Sequence, residues 1–298
     1  MGDESVLVLG ATGQQGGSAA AALKDDGWHV RALVRDPASP KARSLSAAGI
    51  ETVRGDLADT ASVRAAVAGA YGVFSVLPSS GQFVYGVSDA DEVRFGNMVA
   101  DAAMDAGVKH LIYTSSNAAG SRTGIGHFES KSRVEDHIRG LAIDSTIVRP
   151  STFMEILLMP DFGVAQGRLT FFMRPDQAMQ FIAVEDIGKI AAKIFADRAA
   201  YRGRTFELAG DSVTGNDLAA GFSRMANRTI SYRRFPDEVL RDSDFLQRLA
   251  RAVDEGPLAG AADVDVLRRM HPGLLNFGAW LRGPGRTATE TLLADGSG

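Results

Sequence analysis

The chain contains no cysteine among its 298 residues. Disulfide bonds, a thiolate nucleophile and cysteine-ligated metal sites are therefore excluded, and the composition fits a reducing cytoplasm. The five histidines also lack the spacings that are typical of metal ligands. We therefore expect neither a metal ion nor thiol chemistry in the function.

An excess of positive charge is absent as well. The chain has 32 lysines and arginines against 36 aspartates and glutamates, which gives a net charge of −4. Nucleic-acid-binding proteins usually present a basic surface, so we expect no direct binding to nucleic acid. The sequence has no apolar run long enough to cross a bilayer and no charged-then-apolar signal segment. These features predict a cytoplasmic protein without a membrane partner.

A glycine-rich turn follows the first predicted strand. Apolar residues 6–9 precede Gly10, Gly13 and Gly16, and a helix is predicted to begin near residue 18. Backbone N–H groups and the positive end of the helix dipole would face one point there and could bind an anion. Gly10 would permit the turn, Gly13 would let a pyrophosphate approach the backbone, and Gly16 would bring the helix close to the strand. The pattern predicts a dinucleotide site.

A second nucleotide determinant follows the next predicted strand. That strand ends at Arg35, and Lys41 and Arg43 come soon after it. NAD-specific folds have a carboxylate near this point for the ribose 2′-hydroxyl, whereas a guanidinium can bind a 2′-phosphate through two hydrogen bonds. The sequence therefore predicts a preference for NADP. Asp36 leaves an alternative open, because its carboxylate could bind the adenosine ribose instead.

Strands and helices alternate through the first half of the chain. Such alternation predicts an α/β fold with a doubly wound parallel sheet. Right-handed crossovers would place the carboxyl ends of the strands at one edge, where ligands bind. The predicted strands are 6–9, 30–34, 51–54, 72–77, 110–115 and 144–149. The predicted helices between them are 18–23, 38–48, 60–68, 89–106 and 127–139.

The alternation weakens after Pro150, where an aromatic and methionine-rich segment begins. A strand end followed by a helix is predicted over 181–196 and one more strand over 205–208, and helices are predicted at 216–227, 236–253 and 262–270. We expect residues 1–150, completed by roughly 181–210, to form an NADP-binding core. Residues 151–180 and 211–282 would form a smaller, mainly C-terminal α/β lobe for substrate or partner, and 283–298 a flexible tail.

Candidate catalytic side chains follow the fifth predicted strand. Ser115 and Ser116 end that strand, where hydroxyl groups would lie beside a bound nicotinamide. The next helix opens with His127 and Lys131, which are four residues apart and share one helix face. A lysine beside a bound cofactor can donate to the ribose and lower the pKa of a neighbour. Each of these groups could also be an ordinary polar residue at a strand end or helix surface.

Motifs along nearly the whole chain resemble one protein family. They are GATGQQGG at 10–17, VRALVRDP at 30–37, GDLAD at 55–59, LIYTSSNAAG at 111–120, HFESK at 127–131, TIVRPSTFMEILL at 146–158 and VEDIGKIAAKIF at 184–195. Together they are similar to the NmrA-like branch of the atypical short-chain dehydrogenases/reductases. The resemblance implies a Rossmann-type fold that binds NAD(P).

The resemblance also implies individual site residues. Ser116, or alternatively Ser115, matches the active-site hydroxyl of the superfamily, and Lys131 matches the lysine of its Tyr-x-x-x-Lys pair. Glu155 follows the sixth strand, where nicotinamide and substrate would meet. The implied cofactor-binding residues are Gly10, Thr12, Gly13, Gln14, Gln15, Gly16, Arg35, Asp56, Leu57, Leu77, Pro78, Ser115, Lys131 and Phe153.

One position departs from the superfamily pattern, because His127 replaces the tyrosine of the pair. Imidazole is shorter than a phenol and has an intrinsic pKa near 6.5. It could relay a proton at neutral pH, and the rate would then fall as the pH rises through that pKa. Routine alcohol dehydrogenation is therefore not expected, although hydride transfer remains open because the cofactor carries that step.

Two functions remain open from the sequence. The first is an NADPH-dependent reductase for an electron-poor acceptor such as a quinone, enone or imine, with Lys131, His127 and Ser116 as catalytic residues. The second is a non-catalytic NADP(H) redox sensor that acts through a regulatory protein partner or a homodimer. The retained lysine and serines favour the reductase, and the missing tyrosine favours the sensor. An apolar pocket, or alternatively plain core, would be formed by Phe153, Met154, Phe171, Phe172 and Phe181.

Overall fold

The computed structural model describes residues 4–81 and 86–295, which fall into two compact units. The first unit combines the chain up to Gly120 with Gly126–Arg149 and Ile187–Phe206. The second unit combines Ser121–Ile125, Pro150–Asp186 and the chain from Glu207 onward.

Seven strands form the central sheet of the first unit. In chain order, the strands of the described residues are β1 (Ser5–Val8), β2 (His29–Val34), β3 (Glu51–Arg54), β4 (Gly72–Ser75), β5 (His110–Thr114), β6 (Ser145–Pro150), β7 (Thr152–Phe153), β8 (Arg168–Phe171), β9 (Ala178–Ile182), β10 (Thr205–Leu208), β11 (Asp211–Thr214) and β12 (Ser231–Arg234). The sheet order is β10-β6-β5-β4-β1-β2-β3, and the neighbours from β6 to β3 pair in parallel. This confirms the predicted doubly wound sheet, in which the strand order reverses between β1 and β4.

Helices connect and cover these strands. They are α1 (Gln14–Asp25), α2 (Pro40–Ala47), α3 (Thr60–Val67), α4 (Asp89–Asp105), α5 (Gly126–Arg139), α6 (Val184–Ala196), α7 (Arg198–Tyr201), α8 (Gly215–Ala226), α9 (Asp237–Arg241), α10 (Asp244–Asp254), α11 (Val264–Met270), α12 (Phe277–Arg282) and α13 (Arg286–Asp295). Across the described ranges, every helix is too short or too polar to traverse a bilayer.

The packing of α4 against α5 matters most for the site. Ser88 begins α4 with a capping box, in which its hydroxyl accepts from the Asp91 N–H and the Asp91 carboxylate accepts in return. Gly96 lets the two helices approach closely, because a Cβ at Gly96 would lie 2.6 Å from Cγ1 of Val134 on α5. The buried face of α4 therefore lies directly against α5.

The second unit has its own small sheets and core. Strand β9 pairs antiparallel with β11 and parallel with β7, and β8 pairs in parallel with β12. Met154, Phe171 and Phe181 are at most 2% exposed, so these three residues form core rather than the walls of an open pocket. Phe153 and Phe172 are partly exposed.

One predicted helix and the predicted tail of the second unit differ from the structure. The helix predicted over 236–253 is divided into α9 and α10, because Ser243 has extended backbone and its hydroxyl accepts from Leu246 N–H as a new N-cap. The tail predicted as flexible contains α13, in which Thr289 and Leu293 share a buried face. Residues 296–298 of that prediction lie outside the described part of the chain.

Candidate cofactor and active site

The glycine loop after β1 depends on two of its three glycines for its own conformation. Gly10 has φ +69°, and a Cβ there would lie 2.6 Å from the Val76 side chain. A Cβ on Gly16 would overlap the Gly10 carbonyl, so Gly16 allows α1 to start against the turn. The Gly13 N–H donates to the Gly10 carbonyl at 2.9 Å and closes that turn.

Gly13 differs from the other two glycines, because it is exposed and a Cβ there would contact only the Gly10 carbonyl oxygen, at 3.3 Å. The chain itself leaves space on the outer side of the loop. Helix α1 starts with no side-chain cap and no acidic residue in its first turn, so its first N–H groups face this space as an anion site. Thr12 and Gln14 are also exposed here.

Gln15 supplies an independent sign that a polar ligand fits the loop. Its Oε1 atom is buried and has no hydrogen-bond partner among the described residues. A buried acceptor without a donor is costly, and a hydroxyl group of a bound nucleotide could donate to it. The residues around the loop therefore fit a dinucleotide, with the Gly13–Gln14 backbone for its phosphates and Gln15 for a hydroxyl.

Arg35 lies directly after β2, which pairs with β1 in the sheet. It is exposed and has no ion-pair partner within residues 4–81 and 86–295. Asp36 is less available, because its Oδ1 accepts from the Ala38 N–H at 2.9 Å and its carbonyl accepts from Ser39 N–H at 3.1 Å. This local turn leads into α2, so Arg35 is the freer of the two side chains for a nucleotide. Lys41 and Arg43 are exposed on α2.

The adenine side of the predicted site is formed by the segment after β3. Gly55 N–H donates to the Val34 carbonyl at 3.0 Å and brings this segment to the end of β2. Asp56 is exposed, and its Oδ1 accepts from Ala58 N–H at 2.9 Å, whereas Leu57 packs against the core. Leu77 is buried and Pro78 is half-buried just after β4. The roles of these four residues toward a cofactor remain predictions.

The two serines after β5 have different surroundings. Ser115 is 5% exposed, and its buried hydroxyl has no hydrogen-bond partner among the described residues. Burial would raise the pKa of Glu135 on α5, but the hydrogen bonds and charge of Arg149 lower it below its ordinary value. Ser116 is half-buried at the carboxyl edge of the sheet, and its hydroxyl donates to Asn117 Oδ1 at 3.4 Å. Ser116 is thus the better placed of the two to reach a ligand.

Lys131 has a partner that sequence reasoning missed. Its Nζ donates to Oε1 of Glu92 on α4, and to the Ser79 hydroxyl at 3.2 Å. The Lys131 side chain is 13% exposed and the Glu92 side chain is fully buried. Helical spacing could have predicted that Glu92 is buried, because it lies three, four and seven residues before Phe95, Gly96 and Val99 on the buried face of α4.

His127 lies close to this ion pair but is kept neutral. Its ring packs at a tilt of 53° beside Phe128, with centroids 4.2 Å apart, and a Cβ on Gly81 would lie 2.7 Å from its Nδ1. Burial, followed by the charge of Lys131, lowers the pKa of His127 to about 4. A protonated imidazole is therefore disfavoured in this place, and the role of His127 as a proton relay remains a prediction.

The structure brings Lys131, His127 and the Ser79–Gly81 segment together at the end of β4. Among the described residues, Lys131 and Ser116 form no direct hydrogen bond. Phe153 and Glu155 belong to the second unit. The Glu155 carboxylate accepts from Val184 N–H at 3.1 Å and from Trp280 Nε1 at 3.2 Å, and burial raises its pKa. Glu155 therefore stabilises the interior of that unit.

Two solved structures are similar to this chain in fold. Crystal structures of NmrA, a negative transcriptional regulator, in complex with NAD or NADP superpose with TM-scores of 0.78 and 0.76. Each is 22% identical and covers 97% of this chain and 98% of its own, which shows the fold.

Sequence comparisons are more specific. The oxidoreductase malD of Malbranchea aurantiaca is 32% identical over 259 residues, covering 78% of this chain and 76% of its own length. The NAD(P)H azoreductase of Xenophilus azovorans is 28% identical over 230 residues, covering 76% of each. A family model described as the NmrA-like family matches residues 2–256. The chain belongs to the NmrA-like family.

Proposed function

We propose that the protein is an NAD(P)H-dependent oxidoreductase that prefers NADPH and reduces an electron-poor acceptor such as a quinone, enone or imine. The observation that carries this proposal is the Lys131 ammonium, which is nearly buried yet held in place by Glu92 and Ser79. A family member that only bound the nucleotide would have no need for such a costly charged group. The oxidoreductase and azoreductase names of the relatives support the reaction class.

The preference for NADPH rests on the surroundings of Arg35. Its guanidinium is exposed near the end of β2, whereas Oδ1 of Asp36 already accepts a backbone hydrogen bond. A guanidinium favours a 2′-phosphate through charge and through paired hydrogen bonds. Lys41 and Arg43 add positive charge on the following helix.

The nature of the acceptor follows from the missing acid. When bound, the nicotinamide supplies hydride, and the chain must stabilise the negative charge that the acceptor gains. His127 has a pKa of about 4 and holds no acidic proton at neutral pH. Quinones and conjugated acceptors delocalise the new charge and need less protonation than a simple ketone does. Lys131 would provide the positive field, and the neutral His127 and Ser116 would orient the acceptor by hydrogen bonding.

The test measures NADPH oxidation with a naphthoquinone, an enone, an imine and a simple ketone. The wild type should reduce at least one of the first three and leave the ketone unreduced. Lys131→Met should lower kcat by roughly 10²-fold, since general acid and electrostatic groups contribute at about that level. Lys109→Met, at an exposed lysine, is the matched control and should retain full activity.

Lys131→Met leaves Glu92 buried without its cation, so loss of folding must be separated from loss of chemistry. The double variant with Glu92→Gln removes both charges, and its far-ultraviolet circular dichroism should match the wild type. The alternative function, a non-catalytic NADP(H) sensor, would bind NADPH tightly and reduce none of the four compounds. That outcome would overturn the proposal.

A further inference from the structure

Glu92 is a fully buried carboxylate whose two oxygens are both occupied. Oε1 accepts from Lys131 Nζ. Oε2 accepts from the Ser130 hydroxyl at 3.0 Å, from the Ser80 N–H at 3.2 Å and from the Ser79 hydroxyl at 3.4 Å, whereas the Ser80 hydroxyl donates to Oδ1 of Asp89 at 2.5 Å. These donors come from α5 and from the segment after β4, so one side chain of α4 joins three parts of the unit.

This arrangement connects two of the three candidate catalytic side chains, Lys131 and His127, to one carboxylate. Lys131 is bound directly, and the ring of His127 packs against the Gly81 backbone, the residue that follows Ser79 and Ser80. The Gly81 N–H in turn points at the Ser79 hydroxyl, at 3.4 Å. A fully buried carboxylate costs several kcal/mol unless it is paired and hydrogen-bonded. The Glu92 carboxylate is paired with Lys131 and hydrogen-bonded to Ser79 and Ser80, beside the proposed site of reaction.

We propose that Glu92 is a positioning residue of the active site, which fixes the Lys131 ammonium and the Ser79–Gly81 backbone that supports His127. The inference rests on the proposed function, because it treats Lys131 as a catalytic group. Glu92 does not contact the reacting atoms and acts through Lys131. Removing its charge should misplace the ammonium without opening the unit.

The chain offers a matched comparison in Glu135 on α5. Glu135 is also fully buried and ion-paired, with Arg149 Nη2 at 2.6 Å and Arg139 Nη2 at 2.7 Å. Among the described residues, its carboxylate forms no hydrogen bond or ion pair with the Lys131 ammonium or the Ser79–Gly81 segment, although Glu135 lies one helical turn after Lys131 on α5. Both glutamates are therefore buried, ion-paired carboxylates, but only Glu92 forms an ion pair with the candidate catalytic lysine.

The experiment compares Glu92→Gln with Glu135→Gln in kcat, in KM for the quinone and in melting temperature. Glutamine keeps the shape and one acceptor but removes the charge. Glu92→Gln should lower kcat by about tenfold or more with KM changed by less than about threefold, the pattern of an interaction made in the transition state. Glu135→Gln should lower the melting temperature and leave kcat within about twofold.

A second readout needs no turnover. Acylation of lysines by acetic anhydride, followed by peptide mass spectrometry, reports the reactivity of Lys131 in the folded protein. Lys131 should react slowly in the wild type and in Glu135→Gln, and severalfold faster in Glu92→Gln because its ammonium loses the partner that holds it. If the wild type reduces no acceptor but this labelling difference appears, the proposed function fails and the positioning role stands. Equal labelling and equal kcat in the two variants would overturn the role of Glu92.

Discussion

Two imidazoles, the buried His110 and the half-buried His127, should make the first unit lose stability as the pH falls from about 7.5 to about 5. His110 on β5 is fully buried, and burial lowers its pKa to about 4. The Thr146 hydroxyl donates to the Tyr201 carbonyl at 2.8 Å and therefore accepts from Nε2 of His110, also at 2.8 Å. His110 Nδ1 is buried with no partner among the described residues, so a proton there would be a buried, unpaired donor.

The magnitude follows from proton linkage. The folded-state pKa is about 4 for His110 and for His127, against an ordinary value of 6.5. Between these values the unfolded chain binds the protons and the folded chain does not, so the free energy of unfolding decreases as the pH falls. Each histidine then accounts for a loss of about 2 kcal/mol between pH 7.5 and pH 5, and about 3 kcal/mol near pH 4.

The assay is urea unfolding at the two pH values in a Trp280→Phe background. Trp28 then becomes the single tryptophan, and it reports on the first unit alone. His110→Gln keeps a donor at the position of Nε2 and should reduce the loss of stability by about 2 kcal/mol. His29→Gln is the control, because the His29 side chain is 55% exposed. A loss in His110→Gln equal to that of the parent would refute the assignment of a neutral, buried imidazole.

Two further predictions concern the site. Arg35→Ala should weaken NADPH binding roughly ten- to a hundredfold and leave NADH binding nearly unchanged, because a charge-assisted contact to a phosphate is worth about 1.5–3 kcal/mol. Fluorescence titration with both cofactors measures the two affinities. An equal loss of affinity for NADPH and NADH would show that Arg35 does not contact the 2′-phosphate. His127→Ala should leave the shape of the pH–rate profile unchanged between about pH 6 and 8, because the pKa of His127 is about 4. A wild-type rate that falls above about pH 6.5, and a flat profile in His127→Ala, would contradict the neutral ring.

The sheet could be predicted from the sequence because its information is local. Strands β1, β4 and β5 are fully buried and appear as short apolar runs, which is typical of parallel strands covered on both faces. The glycine loop was equally visible, since strand, turn and helix are adjacent in the chain. Strand β10 was predicted with the observed bounds, Thr205–Leu208.

The ion pair of the site could not be predicted in the same way. Glu92 and Lys131 are 39 residues apart, and only the packing of α4 on α5 brings them together. In the sequence, Glu92 is one of several acids in the first turn of a helix, where acids are favoured by the helix dipole alone. The shifted pKa of His127 has the same origin, because burial and the nearby Lys131 are properties of the fold and not of the motif.

Two glycine-to-alanine substitutions in the glycine loop should distinguish an effect on folding from an effect on cofactor binding, because each adds a single methyl group at a different place. At Gly16 a Cβ would overlap the Gly10 carbonyl, so Gly16→Ala must displace α1 from the turn, and it should lower the melting temperature by several degrees even without cofactor. At Gly13 a Cβ would meet one atom at 3.3 Å and otherwise open space, so Gly13→Ala should fold normally.

The same Gly13 methyl would occupy the space that a pyrophosphate needs, so Gly13→Ala should weaken NADPH binding by at least about tenfold, a cost of about 1.4 kcal/mol. Thermal unfolding with and without NADPH measures both effects, because a ligand raises the melting temperature only where it binds the folded state. A Gly13→Ala protein that NADPH stabilises as fully as the wild type would place the phosphates elsewhere. The exposed N–H groups at the start of α1 would then need another ligand.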